Sequence, residues 1–172
     1  MRIAALKEQI LLKKSFLCVG LDVDLDKVPE HIKTMPDPLF EFSKAIIDAT
    51  AAFAVAYKPN IAFFETYGPE GMGSLKKVMD YLNEHHPEIF TIADAKRGDI
   101  GNTATRYAKA YYETYNFDSI TVAPYMGKDS VEPFLNFDEK YAIVLALTSN
   151  AGSSDFQTQE VGGQMLYEKV IQ

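Results

Sequence analysis

The chain has 172 residues, 47% of them hydrophobic and 24% charged, and a formal net charge of −7. That length suffices for one domain with a sizeable core, and the composition is that of a soluble globular protein. The negative balance argues against nucleic acid as the main partner, because phosphate backbones are gripped by clustered Lys and Arg, yet a few local cations can still hold a small anionic ligand. Cys18 is the single cysteine, which excludes an internal disulfide and fits a reducing cytosol. No apolar run approaches the ~18 residues that a membrane span needs, so no membrane partner is expected.

The N-terminal stretch MRIAALKEQILLKK is interrupted by Lys7, Glu8 and Gln9 and lacks the apolar core of a signal peptide. Ile3, Leu6 and Ile10 recur at helical spacing and predict a short amphipathic helix. SFLCVGLD (15–22) predicts a buried strand closed by Gly20 and Asp22. Asp37 and Pro38 offer an N-cap and a first-turn proline, after which Phe42, Ala45, Ile46 and Ala49 line one helix face. FAVAYKPN (53–60) predicts the second strand, and Leu75, Val78, Met79 and Leu82 the helix behind it, ended by Pro87. IFTIADAK (89–96), SITVAP (119–124) and YAIVLALTS (141–149) predict the remaining strands. Their helices are marked by Ala104, Tyr107, Ala108 and Tyr111, by Val131, Phe134 and Leu135, and by GGQMLYEKVIQ at the end.

Alternating βα units imply parallel strands buried on both sides, as in an open doubly wound sheet or a closed (β/α)8 barrel. No Gly-x-Gly-x-x-Gly follows the first strand, and Asp22, Lys58, Asp94, Lys96 and Ser149 all stand at the C-terminal ends of strands. In a barrel those ends converge on one mouth. The expected class is therefore α/β, a (β/α)8 TIM barrel of which this chain covers about the first five βα units. Five units do not close eight strands, so residues 1–172 are expected to be a single barrel domain incomplete at its C-terminus.

The segment IADAKRGDIGNT (92–103) sets four charges beside an apolar run, which is expensive to bury unless they pair or do chemistry. Residues two apart on a strand point the same way, so Asp94 and Lys96 share a face with Ile92 while Ala93 and Ala95 face the helices. Gly98 and Gly101 bracket Asp99 and permit a tight turn, and Thr103 or Asn102 can cap the next helix. Lys58, on the neighbouring strand, projects into the same mouth to give an alternating set of Lys58, Asp94, Lys96 and Asp99. Opposite charges ~4 Å apart interact by about 4 kcal/mol at an effective dielectric of 20. The carboxylates thus keep each ammonium protonated against desolvation, and a protonated lysine in a dry pocket is a proton donor. The bland alternative is an ion-pair network that only fixes strand register. Lys58 and Asp22 at matching strand ends, with a glycine-flanked Asp99, favour chemistry.

DAKRGDIGNT resembles the Asp-x-Lys-x-x-Asp signature of the orotidine 5′-phosphate decarboxylase family. GLD (20–22), KPN (58–60) and TSNAGS (148–153) fall where that family's other active-site segments should, and KPNIAFFE is similar to one bacterial branch. The resemblance runs from about Phe16 to the end of the chain. It implies a cytoplasmic homodimer of (β/α)8 barrels that converts orotidine 5′-monophosphate to UMP and CO2 in de novo pyrimidine biosynthesis, without metal or organic cofactor. It also implies roles. Lys96 would protonate C6 as CO2 leaves, Asp94 would sit beside the departing carboxylate, and Lys58, with Asn60 beside it, would hold the ribose side and fix Asp94. Asp22 would bind a ribose hydroxyl and Ser149 the base. Asp99 would reach the partner subunit's site and contact its ribose, with Ile100 and Thr103 alongside. The family's phosphate grip lies on loops after the seventh and eighth strands, so those residues are expected beyond Gln172.

The residues suit that chemistry. Decarboxylation at C6 leaves an in-plane carbanion that the ring cannot delocalise as an enolate, so a preplaced cation must stabilise it, and Lys96 is the only lysine in the motif. Two alternatives stand beside this reading. Mg²⁺-dependent sugar-phosphate decarboxylases and aldolases of the same superfamily resemble the motif, but carry an acid where this chain has Lys58, and a lysine there repels the metal. A non-catalytic, truncated dimerisation scaffold is the other. His31, His85 and His86 suit surface roles, the last two beside a helix C-terminus. The aromatic run YAKAYYETY (107–115) suits packing, and Arg97, facing away from Lys96, suits a salt bridge near the rim.

Overall fold

Parallel strands β1 (Leu17–Leu21), β2 (Ala54–Pro59), β3 (Phe90–Arg97), β4 (Ser119–Val122) and β5 (Tyr141–Val144) lie side by side in the order in which they occur in the chain. A doubly wound sheet reverses its strand order at a switch point; an unbroken sequence is the winding of a (β/α)8 barrel. The computed structural model describes residues 3–172, so Met1 and Arg2, at the head of the expected first helix, lie outside it. The helices are α1 (Ile3–Lys13), α2 (Glu30–Lys33), α3 (Pro38–Thr50), α4 (Ile61–Glu65), α5 (Gly68–His85), α6 (Gly101–Lys109), α7 (Glu132–Leu135) and α8 (Leu166–Val170). Among the described residues no helix is long and apolar enough to cross a membrane.

The predicted elements form, with informative departures. β1 is not a buried strand: only Leu21 is buried, while Leu17 and Cys18 are exposed. Among the described residues it is an edge of the five-stranded sheet, paired with β2 alone. In α3, Asp37 does cap the helix, its Oδ1 accepting from the Phe40 N–H at 3.2 Å. The buried stripe, however, is Leu39, Ser43 and Ile47 rather than Phe42, Ala45, Ile46 and Ala49. Ser43 tolerates full burial because its hydroxyl donates to the Leu39 carbonyl four residues back, at 2.7 Å. α5 buries Leu75, Val78, Met79 and Leu82 as their spacing requires. α6 buries Ala104 and Ala108, then widens into a π-helical turn, Ala110–Thr114, that buries both Tyr111 and Tyr112.

α1 crosses beneath the N-terminal ends of the strands. Its Lys13 Nζ donates to the carbonyls of Ala51 (2.8 Å) and Ala54 (2.9 Å) at the head of β2, while the Ile3 N–H donates to Tyr141 Oη (3.1 Å) at the head of β5. The opposite, C-terminal ends of the strands stay open. There β5 is shorter than predicted, ending at Val144 with one further ladder bond from the Leu145 N–H to the Val122 carbonyl at 3.0 Å. At the other end of α5, His85 and His86 pack against the Tyr81 ring, with centroids 4.5 and 6.0 Å away.

Candidate active site

Each strand delivers its polar residues at its open end, and three of them meet. Lys58 on β2 donates to Asp94 Oδ2 at 2.8 Å, and Lys96 on β3 donates to Asp94 Oδ1. Asp94 therefore bridges two ammonium groups, one on each carboxylate oxygen. Its side chain is only 10% exposed, against 34% for Lys58 and 53% for Lys96. The most buried member is thus the shared anion, and the most exposed is Lys96. Burial pushes the Asp94 carboxyl up, but the hydrogen bonds from Lys58 and Lys96 outweigh it and hold the group below its ordinary value. Burial likewise pulls Lys58 down, and its bond to Asp94, with the charges of Asp94 and Asp22, raises it above the ordinary lysine range. At least one ammonium of the array is thereby kept charged, as the alternating pattern requires.

β3 does not run straight to this point. Ala93 pairs with Ile120 and Arg97 with Val122, so four steps along β3 answer two along β4. The surplus is a bulge that holds Asp94, Ala95 and Lys96, and Lys96 adopts φ +46°. A non-glycine residue in that left-handed region stores about 1–2 kcal/mol of strain. The bulge faces Thr121, whose buried Oγ1 lies 3.0 Å from the Ala95 nitrogen, 2.9 Å from the Lys96 nitrogen and 3.2 Å from Asp94 Oδ1. Nothing in the strand-like run SITV signalled that role: a threonine there reads as an ordinary β-branched residue.

Beyond Lys96 the strand end is clamped from outside. The Arg97 guanidinium pairs with Glu65 on α4, donates from Nη1 to the Ala95 carbonyl at 2.9 Å, and lies 5.4 and 5.8 Å from the ring centroids of Tyr107 and Tyr111. This is the expected rim salt bridge, with an aromatic cage added. Its Nε is buried and, among the described residues, has no hydrogen-bond partner. The Ala123 N–H donates to the Arg97 carbonyl at 2.8 Å and ties the exits of β3 and β4 together. Burial lifts the phenol of Tyr111 to about 12, so that ring stays neutral.

The other expected site residues are less tightly gathered. Asp22, exposed at the end of β1, accepts from Asn60 Nδ2 at 3.5 Å, while Asn60 Oδ1 caps α4 by accepting from the Ala62 N–H at 3.3 Å. Asn60 thus links the ends of β1 and β2, and it also bridges to Asp94 through the backbone. Asp99 is not part of the charge cluster: its Oδ1 accepts from the adjoining Ile100 N–H at 2.7 Å, and among the described residues it forms no ion pair. Ile100 is 56% exposed and is itself the N-cap of α6, so neither Asn102 nor Thr103 caps that helix; both lie exposed in its first turn. Ser149 does not stand at a strand end, because β5 stops five residues earlier; it lies exposed in the loop that leads to a 3-10 turn, Ala151–Asp155.

The model of the Orotidine 5′-phosphate decarboxylase / HUMPS family matches residues 15–171. The orotidine 5′-phosphate decarboxylase of Flavobacterium johnsoniae is 65% identical over 167 residues, which are 97% of this chain and 61% of that protein. That of Bacteroides fragilis is 55% identical over 168 residues, again 97% of this chain and 61% of the relative. The solved structure of Leishmania donovani OMP decarboxylase aligns with a TM-score of 0.84 at 41% identity, covering 97% of this chain and 62% of that one. The chain spans about three fifths of the length of these relatives, 61% in the curated ones. With its bridged lysines and the family match running from residue 15 to residue 171, the chain belongs to the orotidine 5′-phosphate decarboxylase / HUMPS family.

Proposed function

We propose that the chain carries the charged catalytic array of an orotidine 5′-phosphate decarboxylase and supplies five βα units of a single eight-unit barrel domain. The observation that carries this reading is Asp94 held between Lys58 and Lys96 at the open strand ends. As the bond from C6 to the carboxylate breaks, its electron pair stays on C6 and CO2 departs. Lys96 stabilises that charge and passes one Nζ proton to C6, giving UMP, and recovers a proton from water. The cation stands in place before the charge develops, because Asp94 fixes it and no reorganisation is needed at the moment of reaction. Lys58 holds Asp94 from the other side, and Asp22, Asn60 and Ser149 serve the ribose and base.

The family's description pairs orotidine 5′-phosphate decarboxylase with HUMPS, and Lys58 favours the decarboxylase. A metal-dependent sugar-phosphate enzyme would carry an acid where this chain has Lys58, whereas here that position holds an ammonium, 2.8 Å from Asp94 Oδ2, that repels a divalent cation. A homodimer with Asp99, Ile100 and Thr103 reaching the partner's site accords with their position: Asp99 makes no ion pair among the described residues, and Ile100 and Thr103 are exposed. A cytoplasmic setting belongs to the same reading, and the free Cys18 accords with a reducing compartment.

The test follows the ultraviolet change as orotidine 5′-monophosphate is consumed. The chain is assayed alone and fused to the portion of the Flavobacterium johnsoniae relative that lies outside the match. Turnover in either form, lost by a factor of at least about 10³ in Lys96→Ala, is expected. Near-normal turnover in that variant overturns the assignment.

A further inference from the structure

We propose that Thr121 is a positioning residue for Lys96: its hydroxyl holds the β3 bulge in the shape that points the ammonium into the mouth. The bulge withdraws the Ala95 and Lys96 N–H groups from the β4 backbone ladder, and Ala95 is buried. Both groups donate instead to one side-chain oxygen, Thr121 Oγ1, at 3.0 and 2.9 Å. Two accepted bonds use both lone pairs of a hydroxyl and leave it one proton to give. Two acceptors are in reach, the Ala93 carbonyl at 3.4 Å and Asp94 Oδ1 at 3.2 Å. The carboxylate is the closer and, being charged, the stronger.

One atom thus touches two consecutive backbone N–H groups, those of Ala95 and Lys96, and the same Asp94 oxygen that receives the Lys96 ammonium. Lys96 holds φ +46°, a conformation a lysine leaves unless its surroundings compel it. From outside the sheet Arg97 grips the Ala95 carbonyl, and from inside Thr121 grips the N–H groups. The bulge is pinned from both faces, but only the Thr121 contact reaches the carboxylate as well. Ser119, two residues earlier on β4, shows the contrast: its hydroxyl donates to the Thr91 carbonyl in the regular part of the ladder and, among the described residues, bonds to no charged group.

The role of Lys96 rests on the decarboxylase reading, but the hydroxyl's hold on the bulge does not, so the test has two readouts. Thr121→Val keeps the shape and removes the hydroxyl, and Thr121→Ser keeps the hydroxyl. Native-state hydrogen exchange of the Ala95 and Lys96 amides, referenced to the buried Ile120 amide, is expected to speed up at least tenfold in Thr121→Val and to stay near wild type in Thr121→Ser. In whichever form of the protein turns over, Thr121→Val is expected to lower kcat by about 10- to 100-fold with KM changed less than threefold, and Thr121→Ser to restore most of it. Exchange unchanged in Thr121→Val, or Thr121→Ser behaving like Thr121→Val, overturns the proposal. Should Thr121→Val not fold, Thr121→Cys gives the same readout, because a thiol is a weak acceptor. Absence of turnover from every form, with the exchange pattern as expected, would sink the decarboxylase reading and leave the hold of Thr121 on the bulge standing.

Discussion

Gly98 marks the exit of β3, and its missing side chain is a steric requirement of the site. A Cβ there would meet the Ala123 carbonyl oxygen at 2.6 Å, where ordinary contact begins at 3.4 Å, a shortfall of about 0.8 Å. The obstacle is backbone, and it cannot retreat freely, because the Ala123 N–H is tied to the Arg97 carbonyl at 2.8 Å. Overpacking of this kind costs about 1–3 kcal/mol. For a chain of this size, about 2 kcal/mol lowers Tm by about 4–8 °C. The same substitution at Gly73, in the exposed interior of α5 with nothing within 4 Å, is the internal control, and there alanine should stabilise by about 0.5–1 kcal/mol. Thermal unfolding followed by circular dichroism should therefore move Gly98→Ala and Gly73→Ala in opposite directions. Gly98→Ala melting within about 1 °C of wild type, or both variants shifting downward together, would refute the reasoning.

The Asp94 array has a signed pH dependence. Its carboxyl lies below 3.8 when folded, so its contribution is present above that value and lost as pH falls through the folded pKa. Lys58 lies above 10.5 when folded, so its share is complete below 10.5 and lost as pH rises through its own folded pKa. In urea titrations the advantage of wild type over Asp94→Asn should be flat between those limits and shrink outside both. Arg97→Met should lower stability by about 1–2 kcal/mol in the same assay, and Arg97→Lys should fail to restore it, since an ammonium cannot stack on two tyrosines while reaching a carbonyl and Glu65. Asp37→Ala removes the Phe40 N-cap bond together with bonds from Ser74 Oγ and Lys77 Nζ, both 2.7 Å. A loss of about 1–2 kcal/mol is expected in chemical denaturation, with Asp37→Asn recovering most of it.

What could be read from the chain was whatever depends on near neighbours. Asp94 and Lys96 could be placed on one face because a strand alternates, and Lys58 could be set beside them because parallel strands of similar length end together. Asp37 followed by Pro38 announced a cap in two residues. The misses share a dependence on distant groups. The Ser43 stripe of α3 looked polar until its hydroxyl found the Leu39 carbonyl. Ser149 looked like a strand end because LALTS continues the apolar run of β5, but pairing with β4 stops it at Val144. Thr121 gave no local sign at all, since its hydroxyl acquires a purpose only opposite a bulge that lies some 25 residues earlier in the chain.

The widened turn at Ala110–Thr114 extends this dependence into heredity. A π-helical turn is in effect one extra residue in a helix, and here it lets two consecutive tyrosines be buried at once, Tyr111 toward the Arg97 cage and Tyr112 with its hydroxyl on the Tyr141 carbonyl at 2.8 Å. Loss of a single codon within that turn would restore regular winding and swing the tyrosines by about 100°. The helix itself would improve, yet Arg97, three residues on from the buried Asp94, would lose a wall of its cage. Small deletions that a helix ought to welcome are therefore barred from this one.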